Sequence, residues 1–151
     1  MSADRNRKGF TLVELAVVIV IIGVLAAFGV PKFLKSVERS KAAEAFQYLA
    51  SVRGAEERYI AQFGVYTSDI TALDITQSAP KYFETGSALA ATQASDGTSS
   101  WTMTLKRIVA TSSYGAYTVT FTQDGFDTVN STIASDANLN ASINPMGGSG
   151  S

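Results

Sequence analysis

The chain has 151 residues, enough for one domain and one sizeable core; 46% of it is apolar and only 17% is charged. Twelve basic residues against thirteen acidic ones leave a net charge of −1, which gives no electrostatic case for nucleic acid as a partner. With no Cys and no His, the chain lacks disulfides, thiolate nucleophiles, imidazole bases and Cys or His zinc sites. No glycine-rich phosphate loop is present either, so no catalytic residue, metal ligand or cofactor is expected.

The first nine residues, MSADRNRKG, carry Arg5, Arg7 and Lys8 against Asp4. Basic residues ahead of an apolar run hold that end in the cytoplasm and send the rest outward. From Leu15 to Val30 every residue is apolar or Gly, and Phe10 to Val13 extend the run to about 20 residues. As a helix it spans roughly 30 Å, the thickness of a bilayer's hydrocarbon. It is longer than a secretory signal core, and Pro31-Lys32-Phe33 follows it without a small-residue cleavage site.

Glu14 breaks the apolar pattern at its start. A carboxylate inside a membrane segment is costly unless something pairs with it. Glu14 lies four residues after Phe10, on the same helical face. Cleavage between Gly9 and Phe10 would place a new α-amine close to that carboxylate, turning a lone charge into a neutralised pair.

The run Lys8-Gly9-Phe10-Thr11-Leu12-Val13-Glu14-Leu15, the apolar stretch after it, Gly23 and Pro31 resemble the N-terminus of type IV pilins and of the pseudopilins of type II secretion. The resemblance covers residues 7–33. It implies removal of a leader, residues 1–9, by a prepilin peptidase acting between Gly9 and Phe10, with N-methylation of Phe10. It implies that Glu14 pairs with the Phe10 amine of its own chain or of a neighbour. Gly23 and Pro31 match positions bracketing a helix segment that loosens during assembly. Gly and Pro are both poor helix residues, and Pro also lacks a backbone donor, which agrees with that role.

Beyond Lys32 the helical period continues. Leu34, Val37, Lys41, Ala45, Leu49, Val52, Ala55, Tyr59 and Phe63 recur every three or four residues, with Glu38, Arg39, Glu44, Arg53, Glu56 and Glu57 mostly off the stripe. Gly64 is the expected stop, which gives a helix over 11–63. Its first half has no partner in its own chain, so lipid or copies of itself must bury it. Residues 64–100 read as a loop region, with a short helical turn over 88–94. The segments WTMTLKRIV from Trp101 and YTVTFT from Tyr117 alternate as strands, joined by a hairpin turn at Ser112-Ser113-Tyr114-Gly115. Asp124-Gly125 marks another turn, with a third strand over 126–133 and a mobile tail over 141–151.

The expected fold class is α+β: a long N-terminal helix whose second half packs on a small antiparallel sheet. Residues 10–31 form a transmembrane or filament-core helix, 32–63 the amphipathic helix of a head domain, and 64–140 the loop and sheet of that head. Asp136, Asn138, Asn140 and Ser142 space oxygen donors like the start of a calcium loop. Ala141 replaces the required Gly and Gly147 the closing Glu, so a polar turn is expected. Asp124 and Asp127 read as turn residues, and the aromatic rings along the helix as packing groups. Lys106 and Arg107 point to opposite strand faces and make a poor nucleic-acid patch.

The resemblance implies a structural filament subunit and not an enzyme. Its partners are further copies of itself in a helical filament, the prepilin peptidase, the inner membrane and the pilus assembly platform. It sits in the inner membrane with a cytoplasmic N-terminus, then in a cell-surface or periplasm-spanning filament. Two alternatives are a major pseudopilin of a type II secretion system and a monomeric membrane-anchored binding domain.

Overall fold

The structure, a computed structural model, describes residues 9–85 and 89–147. It divides into two compact units that meet between Leu34 and Lys35, and helix α1, Leu12–Phe63, crosses that boundary. In the first unit α1 is fully exposed: every described residue up to Leu34 presents its side chain outward. Pro31 lies inside the helix without ending it. It has no N–H for the carbonyl four residues back, so the turn beneath it is short of one hydrogen bond.

In the second unit the buried face of α1 runs through Glu38, Ala42, Ala45, Leu49, Val52 and Glu56, spaced alternately four and three residues apart. Ala45, Leu49, Val52 and Ala55 fall on the anticipated stripe. Glu38 and Glu56, expected outside it, are both buried. The helix stops where the glycine predicts. Gly64 takes a left-handed φ of 79° and donates to the Ile60 carbonyl at 2.8 Å.

That face packs on an antiparallel sheet of five short strands: β1 (Phe83–Glu84), β2 (Ala90–Gln93), β3 (Ser99–Arg107), β4 (Thr118–Thr122) and β5 (Gly125–Phe126). The order is β1-β3-β4-β5, and β2 pairs with the opening half of β3. Nine-residue β3 is the spine, and its register sets Met103 against Phe121 and Leu105 against Val119. Strand alternation buries Trp101, Met103, Leu105 and Arg107 and leaves Thr102 and Lys106 exposed. Phe46 from the helix meets Phe121 edge-on at 5.7 Å and Phe126 at 4.7 Å, joining helix to sheet.

Four segments differ from expectation. Residues 90–93 are strand and not a helical turn: Gly97 at φ 86° closes a short connection, and pairing with β3 overrides alanine's helical preference. The β3–β4 link is no tight hairpin. It holds a 3₁₀ turn, Val109–Thr111, and Gly115 at φ 77°. The third strand ends after Phe126 because the Asp127 carboxylate accepts from the amides of Val129 and Asn130, turning the chain into α2 (Thr132–Ser135). The tail begins later than residue 141: α3 (Ala137–Ser142) is followed by buried Ile143 and Asn144. Asp136, weighed as a cation ligand, caps α3 by accepting from the amides of Asn138 and Leu139.

Candidate functional site

The N-terminal turn of α1 is built from Thr11 and Glu14. The Thr11 hydroxyl accepts from the Glu14 amide at 3.2 Å. The Glu14 carboxylate reaches back and accepts from the Thr11 amide at 3.0 Å and from its hydroxyl at 2.8 Å. This is a reciprocal capping box, and it satisfies donors that any helix start leaves open. Glu14 therefore has a partner in its own chain before any neighbour arrives. Thr11 was missed as a site residue, although Thr-x-x-Glu ahead of an apolar run is a legible helix-start signal.

Around this turn nothing is covered. Phe10 is 82% exposed, and fifteen further large apolar residues from Leu12 to Leu34 are exposed with it. By length and composition α1 is apolar enough to cross a membrane. Moving side chains of this kind out of water gains about 1.5–3 kcal/mol each, so the segment as a whole holds a driving force on the order of 30 kcal/mol. Gly23 and Gly29 face open space: a methyl group added at either would meet nothing within 4 Å. Nothing in the single chain therefore requires glycine there. Gly9, Phe10, Glu14, Gly23 and Pro31 all lie on this one segment. Arg5, Arg7 and Lys8 fall outside the described residues.

One comparison with known proteins bears on the same stretch. Residues 4–30 match the family described as the prokaryotic N-terminal methylation motif. The chain is also similar to type IV pilins and fimbrial proteins. The fimbrial protein EcpC of Eikenella corrodens is 44% identical over 69 residues, 46% of this chain and 45% of that protein. The type IV major pilin protein PilA of Myxococcus xanthus is 43% identical over 63 residues, 42% of this chain and 28% of that one. The type IV narrow pilus major component of Thermus thermophilus is 50% identical over 48 residues, 32% and 41% of the two chains. The chain spans less than half the length of these curated relatives. No solved structure matches it. A long apolar N-terminal helix with a small antiparallel sheet is the α+β arrangement of a pilin-like fold, and the similarity to fimbrial and major pilin proteins does not favour the pseudopilin alternative.

The head also holds a buried polar centre that sequence reasoning did not find. Arg107, 1% exposed, grips the Glu38 carboxylate with two nitrogens at 2.6 and 3.1 Å. The Tyr117 hydroxyl donates to the same carboxylate at 2.9 Å. The rest of the guanidinium donates to the carbonyls of Tyr82, Ile108 and Thr111 and to the Thr111 hydroxyl, which fixes the 3₁₀ turn. Burial alone would raise the Glu38 carboxyl, but the bonds from Arg107 and Tyr117 outweigh it and hold it below the usual carboxylate range. Burial and then the Glu38 charge push the Tyr117 hydroxyl well above the ordinary tyrosine range. This centre joins helix, sheet and loop; every donor is used internally, which marks it as structural.

Proposed function

We propose that this chain is the structural subunit of a type IV pilus-like surface filament, assembled through its N-terminal helix. The observation that carries the reading is the bare segment from Phe10 to Leu34: a helix with every side chain exposed, lying on the stretch that matches the methylation motif. Its apolar surface demands cover, first from lipid and then from copies of itself.

The assembly sequence follows from the residues. Arg5, Arg7 and Lys8 keep the leader in the cytoplasm while the segment sits in the inner membrane. The prepilin peptidase cuts between Gly9 and Phe10 and methylates the new amine. Glu14, already satisfied by Thr11, turns its acceptor capacity to the Phe10 amine of its own chain or of a neighbour on the assembly platform. Gly23, Gly29 and Pro31 let the helix adjust as lipid is exchanged for protein. The heads then form the outer surface of the filament.

Replacing Glu14 with Ala tests this against a monomeric anchored domain. Electron microscopy of the sheared surface fraction should show filaments for the parent chain and few or none for Glu14→Ala. Undiminished filaments in the variant would remove Glu14 from the mechanism.

A further inference from the structure

The buried stripe of α1 ends in a glutamate at each side, and the two are treated differently. Glu38 is held by Arg107 and Tyr117. Glu56 is fully buried, yet no cation among the described residues lies within ion-pair distance of it. One of its oxygens accepts from the Thr67 amide at 3.2 Å, while the other, Oε1, has no hydrogen-bond partner. A buried, unpaired carboxylate is among the least tolerable groups in a protein; a neutral acid is far less so.

Thr67 belongs to the strap that leaves the helix at Gly64. The strap has three polar anchors: Thr67 on Glu56, the Tyr66 amide on the Ser99 hydroxyl at 3.2 Å, and the Tyr66 hydroxyl on Glu57 at 3.4 Å. Two residues along β3 from Ser99 sits Trp101, the sole tryptophan, buried and with its indole N–H also unpartnered. The neighbouring charges do not relieve Glu56. On the helix, Glu57 repels it, and the Arg53 guanidinium is engaged by the Gln123 carbonyl. Tyr66 on the strap lies near Glu56, and Asp124 on the β4–β5 turn lies near Tyr66; neither supplies positive charge.

We propose that Glu56 is a proton-operated latch for the strap over residues 64–67: protonated on Oε1 it holds the strap closed, and ionised it lets the strap open so that the carboxylate reaches water. The sign follows from the site. Burial, then the adjacent Glu57, raise the Glu56 carboxyl despite the bond from Thr67. The closed form therefore binds the proton more tightly than the open one, so closure is favoured as pH falls and lost as pH rises through the raised value.

The test uses the full chain in detergent, titrated from pH 4 to pH 9, with Trp101 emission and amide exchange at Tyr66 and Thr67 as readouts. The parent chain should show a single transition above the ordinary glutamate value of about 4.3, with at least tenfold faster exchange at both amides on the high-pH side after correction for intrinsic rates. Glu56→Gln should abolish it and stay closed throughout, whereas Glu57→Gln should keep it, shifted to lower pH. A flat titration in the parent chain, or an unchanged transition in Glu56→Gln, overturns the proposal. Should Glu56→Gln fail to fold, exchange in the parent chain against pH decides the matter alone.

Discussion

One helix carries two kinds of surface. From Leu12 to Leu34 it buries nothing, while from Glu38 to Glu56 it supplies the central stripe of a close-packed core. The backbone is the same in both stretches; what differs is where the side chains find company. In the head, alternate four and three spacing aims Ala45, Leu49 and Val52 at a sheet that the same chain provides. In the apolar stretch the residues are hydrophobic all round, and no single-chain partner could cover every face. An all-round apolar helix is completed by its surroundings, and an amphipathic one by its own domain. Mutations should therefore sort cleanly: head changes alter stability of the isolated chain, and apolar-segment changes alter membrane retention and assembly.

The largest stability effect is expected at the buried pair. Arg107→Ala leaves the buried Glu38 carboxylate with Lys41, 3.6 Å away, as its cation and without its bidentate bonds, and should cost about 3 kcal/mol in urea unfolding of the head. Replacing both residues with Met should restore most of that loss. A loss under 1 kcal/mol in the single variant would mean that the pair is far better solvated than its burial indicates. Acid should act on the same centre. Because Glu38 sits below the usual carboxylate range when folded, its contribution is fully present above the unfolded value near 4.3 and is lost as pH falls through the folded value. Thermal melts between pH 6 and pH 2.5 should show this decline, and Glu38→Gln, already destabilised, should show less of it.

Gly23→Ala separates the two regions most sharply. In the isolated chain the new methyl meets nothing and Ala gains about 1 kcal/mol of helix propensity, so circular dichroism in detergent should show equal or higher helicity. Filament yield should fall if neighbouring helices approach closely at that position. Unchanged yield would show that glycine is needed by neither the fold nor the filament. The smallest effect belongs to Arg58→Ala. Its bonds to Asp74 at 2.7 and 2.9 Å join two well-exposed side chains, so melting should shift within experimental error.

The features readable in sequence were those carried by local pattern. The stop at Gly64, the alternation of β3 and β4 and the apolar run each need only neighbours in the chain. The capping box of Thr11 and Glu14 is equally local, spelled by Thr-x-x-Glu within one helical turn. Long-range pairing stayed hidden. Glu38 looked like solvent-facing charge because Arg107, 69 residues away, is what makes its burial tolerable. β2 is rich in alanine and becomes a strand only because the edge of β3 is there to pair with it. α2 and α3, at four and six residues, are too short to show a helical period. The methylation-motif match falls on the apolar N-terminal stretch, and the curated relatives match less than half of this chain.

Under the proposed function the bare segment becomes a filament core once residues 1–9 are removed. An intact mass of the protein sheared from the cell surface tests it most directly. A chain beginning at Phe10, carrying one extra methyl and recovered in high-molecular-weight assemblies, is the expected result. A chain still beginning at Met1, extracted as a monomer from the membranes of cells with an active prepilin peptidase, would contradict it.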